Sequence, residues 1–114
     1  MNTLYGIKNC DTVKKARDWL TSNNIAYSFH DFRADGLDKA KVETWIAEIG
    51  LDNLVNKRST TWKELDENLK QNLNEQNAVE LIVAHPTLIK RPLLARGKQK
   101  YVGFKEAEYK NIFS

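Results

Sequence analysis

The chain contains one cysteine, Cys10, set in the polar stretch Lys8-Asn9-Cys10-Asp11-Thr12. A thiol attacks as its thiolate, and with an ordinary pKa of about 8.5 only about 3% of it is ionised at neutral pH. For Cys10 to act as a nucleophile, its surroundings must stabilise the anion. The apolar spacing that follows predicts a helix beginning just after Cys10, so unpaired backbone N–H groups and the positive end of the helix dipole would face the sulfur. A lowering of about two pKa units would make most of the group thiolate. Lys8 adds nearby positive charge and the Thr12 hydroxyl adds a donor, whereas Asp11 opposes them. The competing reading is a small buried hydrophobe, since unpaired cysteine is among the most buried residue types. Lys8, Asn9, Asp11 and Thr12 are hard to bury together, which favours a sulfur that reaches solvent. A lone cysteine has no intramolecular disulfide partner, so oxidation leads to a sulfenic acid or to a mixed disulfide with another molecule. Any redox cycle then needs an outside thiol.

Other chemistry is sparse. His30 falls on a strand face and reads as a surface or packing residue, and His85 with Pro86 reads as a helix end. Two isolated histidines and one cysteine do not make a metal site. Trp19, Trp45 and Trp62, at helical positions, are core candidates before they are ligand contacts. Charge is uneven along the chain. Residues 81–114 hold seven Lys/Arg against two Asp/Glu, and residues 35–80 hold six against ten. Between Glu80 and Glu106 the basic residues Lys90, Arg91, Arg96, Lys98, Lys100 and Lys105 meet no acid. This segment is either a solvated basic face or an anion site.

The elements that must position these groups follow from periodicity. Thr3 to Ile7 reads as a buried strand running into the Cys10 loop. From Thr12, Val13, Ala16, Trp19 and Leu20 recur at helical spacing, and Ser22-Asn23-Asn24 stops them. The alternation of Tyr27 and Phe29 with Ser28 and His30 gives a second strand, completing a βαβ unit. Asp38 caps a helix whose inner face is Val42, Trp45, Ile46 and Ile49, with Gly50 at its end. Leu51 to Val55 adds a helical turn, and Thr61-Trp62-Lys63-Glu64 matches a capping box. Asn74 starts another helix, which His85-Pro86 ends. Pro92 to Ala95 and Tyr101-Val102 form two short strands turned around Gly97, and Phe104 to Phe113 closes the chain as a helix. The expected fold class is α/β: βαβ, a helical insertion at about 37–84, then ββα, all in one domain.

Length and composition agree with that layout. The 114 residues suit one compact domain, and 41% hydrophobic with 29% charged residues is ordinary for a globular protein. No apolar run approaches the roughly 20 residues of a membrane span. The first ten residues lack the basic and apolar regions of a secretory signal, so a cytoplasmic location is expected. A net charge of +3 is too small to argue for nucleic acid. A monomer with neither nucleic-acid nor membrane partners is expected.

Three separated motifs carry a resemblance that spans almost the whole chain. They are Tyr5-Gly6-Ile7-Lys8-Asn9-Cys10-Asp11-Thr12 with Lys15-Ala16-Arg17, then Asn56-Lys57-Arg58-Ser59, then His85-Pro86-Thr87-Leu88-Ile89-Lys90-Arg91-Pro92. In this order they resemble the ArsC/Spx/YffB family, and most of all its YffB-type branch. The resemblance implies a thioredoxin-like core in which the proline at position 92 has a cis bond, lies against the cysteine loop and brings Arg91 to the sulfur. It implies that Cys10 is the nucleophile and that Arg91 and Arg58 clamp an anion, with Lys8, Asn9 and Thr12 lining the site. Without a family, Pro92 reads equally as a trans proline at a strand start. The YffB-type reading is a glutathione-dependent thiol reductase with no bound cofactor. Glutathione is its co-substrate, a mixed disulfide its substrate, and glutaredoxin a candidate partner.

Two alternatives belong to the same family. In its arsenate reductases the cysteine attacks an oxyanion, with a helper histidine four residues earlier and a third arginine. Those two positions fall here at Gly6 and near Gly103. The Spx branch is a non-enzymatic transcriptional regulator with a Cys-x-x-Cys switch that binds RNA polymerase, and here Val13 stands where the second cysteine would be.

Overall fold

The computed structural model of the chain describes residues 2–114. They divide into two compact units, one made of residues up to Asp35 together with Arg91–Ser114, the other of Gly36–Lys90.

The first unit is built on a four-stranded sheet. Strand β1 (Asn2–Gly6) leads through the Cys10 loop into helix α1 (Asp11–Ser22), which returns the chain to β2 (Ser28–Asp31). The two strands pair in parallel with Leu4 opposite Phe29 and Gly6 opposite Asp31. A parallel pair needs such a crossover. The amphipathic spacing of α1 explains how it is held: Val13, Ala16 and Leu20 are buried, and Leu4, Ala16, Leu20, Leu94 and Tyr109 form one core cluster. Arg17 lies on the outer side of that packing, its guanidinium 4.2 Å from the Phe29 ring centroid, and its Nε donates to the Tyr27 hydroxyl at 3.3 Å.

The C-terminal part of this unit adds the hairpin and the last helix. In the numbering of the whole chain these are β3 (Leu93–Arg96), β4 (Gln99–Val102) and α7 (Glu106–Ile112). Strand β3 runs antiparallel to β1, with Tyr5 opposite Leu93, and β4 runs antiparallel to β3. The sheet order is β2-β1-β3-β4. The closing helix starts at Glu106 rather than Phe104, because Gly103 has a left-handed backbone (φ +80°) that interrupts helical geometry. Phe104 packs edge-on against Tyr109 instead, with centroids 4.7 Å apart.

The second unit is helical. It holds α2 (Lys39–Ile49), α3 (Leu51–Leu54), α4 (Thr60–Lys63), α5 (Glu67–Gln71) and α6 (Glu75–Ala84), then a 3₁₀ turn over Pro86–Leu88. Asp38 caps α2 by accepting from the Ala40 N–H, and Gly50 closes it. Asn74 caps α6 in a full capping box with Asn77. Val42, Trp45 and Ile46 of α2 and Ala78, Val79 and Ile82 of α6 are buried. The 3₁₀ turn belongs with these helices: the Asn56 N–H donates to Leu88 O at 2.7 Å and the Lys90 N–H to Leu54 O at 2.8 Å. The capping box expected at Thr61 is replaced by a simple N-cap two residues earlier. Ser59 is the N-cap of α4 and accepts from the Trp62 N–H, so Thr61 is already inside the helix. Trp62 is half-buried rather than a core residue, with the Lys57 and Lys70 ammonium groups each 5.8 Å from its ring centroid.

Candidate functional site

Cys10 is the N-cap residue of α1. Its backbone is extended (φ −125°, ψ 121°) and no side chain caps the helix. The Lys14 N–H donates to the Cys10 carbonyl at 3.0 Å, opening the helical ladder. The N–H groups of the first turn are therefore left for whatever sits at the helix mouth, and the dipole favours negative charge there. The thiol is half-buried, while Lys8, Asn9, Asp11 and Thr12 are exposed around it.

Sheet register sets the rest of the site. The antiparallel register puts the head of β3 beside the end of β1, so Arg91 and Pro92 lie at the sheet end from which the Cys10 loop departs. The Arg91–Pro92 bond is cis. Pro92 is buried and Arg91 half-buried, and the Pro92 carbonyl accepts from the Gly103 N–H at 2.9 Å. Gly103 thus fixes this loop through its backbone. A side chain at 103 would have to adopt a conformation that glycine tolerates best, which suits the absence of an arginine there. Gly6 is closed for another reason: a Cβ at this position would come within 2.8 Å of Val13 Cγ2. Arg58 belongs to the second unit, where it is exposed and its N–H donates to Asn56 Oδ1 at 3.0 Å. The structure therefore brings Cys10, Lys8, Asn9, Thr12, Arg91 and Pro92 into one unit and leaves Arg58 in the other.

Asp31 is the residue that sequence reasoning missed. It is 7% exposed, a buried charged side chain at the end of β2. Its Oδ1 accepts from the Arg33 N–H at 2.8 Å and from the Ala34 N–H at 3.4 Å. Burial pushes this carboxyl up, but the Arg33 and Ala34 N–H groups, helped by the nearby backbone and charge of Lys8, outweigh it, and the group ionises below its ordinary value. Its position between apolar Phe29 and buried Phe32 is a faint signal, since an acid is rarely buried unless partnered. His30 is half-buried between rings, its centroid 5.0 Å from that of Tyr5 and 6.3 Å from that of Phe32. Among the described residues no group of three or more His, Cys, Asp or Glu side chains could hold a metal ion, and no helix is long and apolar enough to cross a membrane.

A parallel βαβ unit followed by an antiparallel hairpin, with a thiol at the mouth of the first helix and a cis proline heading the third strand, defines a thioredoxin-like α/β protein. The chain belongs to the ArsC family, whose sequence profile covers residues 5–112. It is 48% identical to an uncharacterised protein of Haemophilus influenzae over 100% of both chains. A YffB protein of known structure superposes with a TM-score of 0.94 at 45% identity, again over 100% of both. The global transcriptional regulator Spx 1 of Oceanobacillus iheyensis is 33% identical, across 98% of this chain and 86% of its own. The chain's relatives thus include a protein named as a transcriptional regulator.

Proposed function

We propose that this protein is a thiol oxidoreductase that uses Cys10 and glutathione. The observation that carries the reading is the place of Cys10, an uncapped helix N-terminus ringed by exposed polar residues. In the proposed cycle the Cys10 thiolate attacks the glutathione sulfur of a mixed disulfide. A Cys10–glutathione bond forms, the original S–S bond breaks, and the substrate thiolate leaves with the electron pair and takes a proton from solvent. A second glutathione thiolate then attacks the Cys10–glutathione bond, releasing oxidised glutathione and restoring the Cys10 thiolate. Because the chain has a single cysteine, the resolving thiol is always external, supplied by glutathione or by glutaredoxin. The cytoplasm provides the reduced glutathione such a cycle consumes.

Arg91, at the same sheet end as the Cys10 loop, clamps a glutathione carboxylate, for which a bidentate guanidinium is well shaped. Lys8, Asn9 and Thr12 line the thiol. The test is turnover of a glutathionylated peptide with reduced glutathione. Cys10→Ser is expected to abolish it. Arg91→Ala should lower kcat/KM by about 1.5–3 kcal/mol, roughly 10- to 150-fold, as expected for a lost charge-assisted hydrogen bond. No turnover above the uncatalysed rate, or turnover retained in Cys10→Ser, removes the proposal.

The identity to Spx 1 favours one second reading, a regulator docking on RNA polymerase. Stoichiometric recovery of the polymerase by both wild type and Cys10→Ser would select it. Reduction of arsenate in the presence of glutathione and glutaredoxin would instead make the substrate an oxyanion.

A further inference from the structure

The stretch between α3 and α6 is held differently from the rest of the second unit. No residue from 56 to 77 is buried, the longest such run among the described residues. Leu54 and Val55 before it, and Ala78 and Val79 after it, belong to the core. Its two helices are little more than one turn each, α4 over Thr60–Lys63 and α5 over Glu67–Gln71, and helices so short are not stable on their own. Trp62, Leu65 and Leu73 are half-buried and Leu69 is 49% exposed, so little apolar surface fastens them. The run 95–108 also lacks buried residues, but there the β3–β4 ladder does the holding.

Hydrogen bonds sort this stretch further. Its two ends are fixed: the Asn56 N–H donates to Leu88 O at 2.7 Å, and Asn77, part of the α6 capping box, donates through Nδ2 to Asn72 O at 2.8 Å. Between those ends the bonds are local. The Lys63 and Glu64 N–H groups donate to Ser59 O and Thr60 O, and the Lys70 and Asn72 N–H groups to Asp66 O and Asn68 O. Lys70 Nζ joins α5 to the Lys63 carbonyl at 3.4 Å. Among the described residues, one hydrogen bond leaves residues 57–73 for a distant element. The Thr61 and Thr87 hydroxyls, both half-buried, meet at 2.6 Å and tie α4 to the 3₁₀ turn. The Lys57–Asp52 ion pair at 3.6 Å also leaves the segment, but both side chains are more than half exposed, where such pairs contribute little. We propose that residues 57–73 form a strap that opens as one unit while the rest of the protein stays folded, and that the Thr61–Thr87 hydroxyl pair is its latch. An element with few buried contacts opens well below the free energy of global unfolding, and Lys57 and Arg58 travel with this one. Thr87 has no part in the thiol chemistry proposed above, so the inference stands independently of it.

The experiment reads native-state amide exchange in the full chain labelled with nitrogen-15. The informative amides are those of Lys63, Glu64, Lys70 and Asn72, which make the backbone bonds of the strap. In the wild type their protection factors are expected to agree within about threefold and to lie at least about a hundredfold below those of α2 and α6. Thr61→Val and Thr87→Val each delete one hydroxyl of the latch with little change of shape. Either should speed exchange at all four amides by about fivefold, the effect of one net hydrogen bond, and leave α2 and α6 unmoved. The double variant should exchange no faster than the single ones, because all three lose the same bond. Thr61→Ser keeps a hydroxyl and should stay within about twofold of wild type. Protection in the strap equal to that of an unfolded peptide, or as strong as that of α2 and α6, overturns the inference. So does protection that differs between the α4 and α5 amides by more than about threefold, which would mean that the two helices open separately. Exchange unchanged in a folded valine variant overturns the latch. If one valine variant does not fold, the other decides, and the wild-type profile tests the strap in either case.

Discussion

Gly6 at the end of β1 lies close against Val13 of α1, and adding one carbon there gives a measurable consequence. A Cβ on residue 6 would stand 2.8 Å from Val13 Cγ2 and 3.2 Å from Val13 Cγ1, well inside the roughly 3.5–4.0 Å at which carbon atoms attract. Val13 is 1% exposed and, being β-branched on a helix, holds essentially one rotamer, so relief requires α1 to move. Overpacking of this sort costs about 1–3 kcal/mol, and the lower chain entropy of unfolded alanine returns about 0.4–1 kcal/mol. The net expectation for Gly6→Ala is a loss of about 1–2 kcal/mol, read as a lower urea midpoint at unchanged slope. Val13→Ala removes both Cγ atoms. Alone it should cost about 1.5–3 kcal/mol of lost burial, and in the Gly6→Ala background about 1–2 kcal/mol less, because the clash disappears with it. A Gly6→Ala protein as stable as wild type would refute the packing argument, and so would a double mutant additive to within about 0.5 kcal/mol. Histidine at position 6 needs the same space and more, so Gly6→His should be at least as destabilised.

Two further expectations concern groups the proposed chemistry does not use. The Tyr109 hydroxyl is buried without a hydrogen-bond partner among the described residues, and burial, helped by the charge of Glu108, pushes its phenol up. Tyr109→Phe should therefore gain about 1 kcal/mol, a rise of roughly 3–6 °C in Tm, and a lower Tm would show that the hydroxyl is satisfied. Asp31 ionises below its ordinary value in the folded protein, so its contribution to stability is present above the unfolded carboxylate pKa of about 3.9. That contribution is lost as pH falls through the lower, folded value. Urea midpoints measured on acidification should fall less steeply for Asp31→Asn than for wild type, and equal slopes would contradict the assignment.

What could be read from the residues divides along physical lines. Local signals were legible: Asp38 and Asn74 cap their helices because an N-cap bond is made within three residues, and the spacing of Val13, Ala16 and Leu20 marks the buried face of α1. The run Ser59-Thr60-Thr61 offered several hydroxyl caps in succession, and the turn at Asn56 decided among them. The Ser59 N–H and Oγ both donate to Asn56 O, which fixes Ser59 as the cap. At the site, the place of Cys10 followed from the helix pattern alone, whereas the cis bond at Pro92 and a place for Arg91 beside the thiol came only with the family resemblance. Asp31 was out of reach because its value depends on a parallel pairing with a strand more than 20 positions earlier, a partnership that no local spacing records. Gly6 was silent likewise, since nothing in the sequence reveals how closely Val13 lies over it.

The outer strand of the hairpin bears on how this molecule keeps company with others. Strand β4 ends the sheet, and an open rim of backbone donors and acceptors is a template on which foreign segments polymerise. Here the rim is four residues long, carries Lys98 and Lys100 at its turn end, and has the Lys100 ammonium folded back onto the Gly97 carbonyl at 3.3 Å. Short length and clustered cations discourage another chain from zipping on, so solubility at high concentration is guarded at the border of the sheet farthest along from β2.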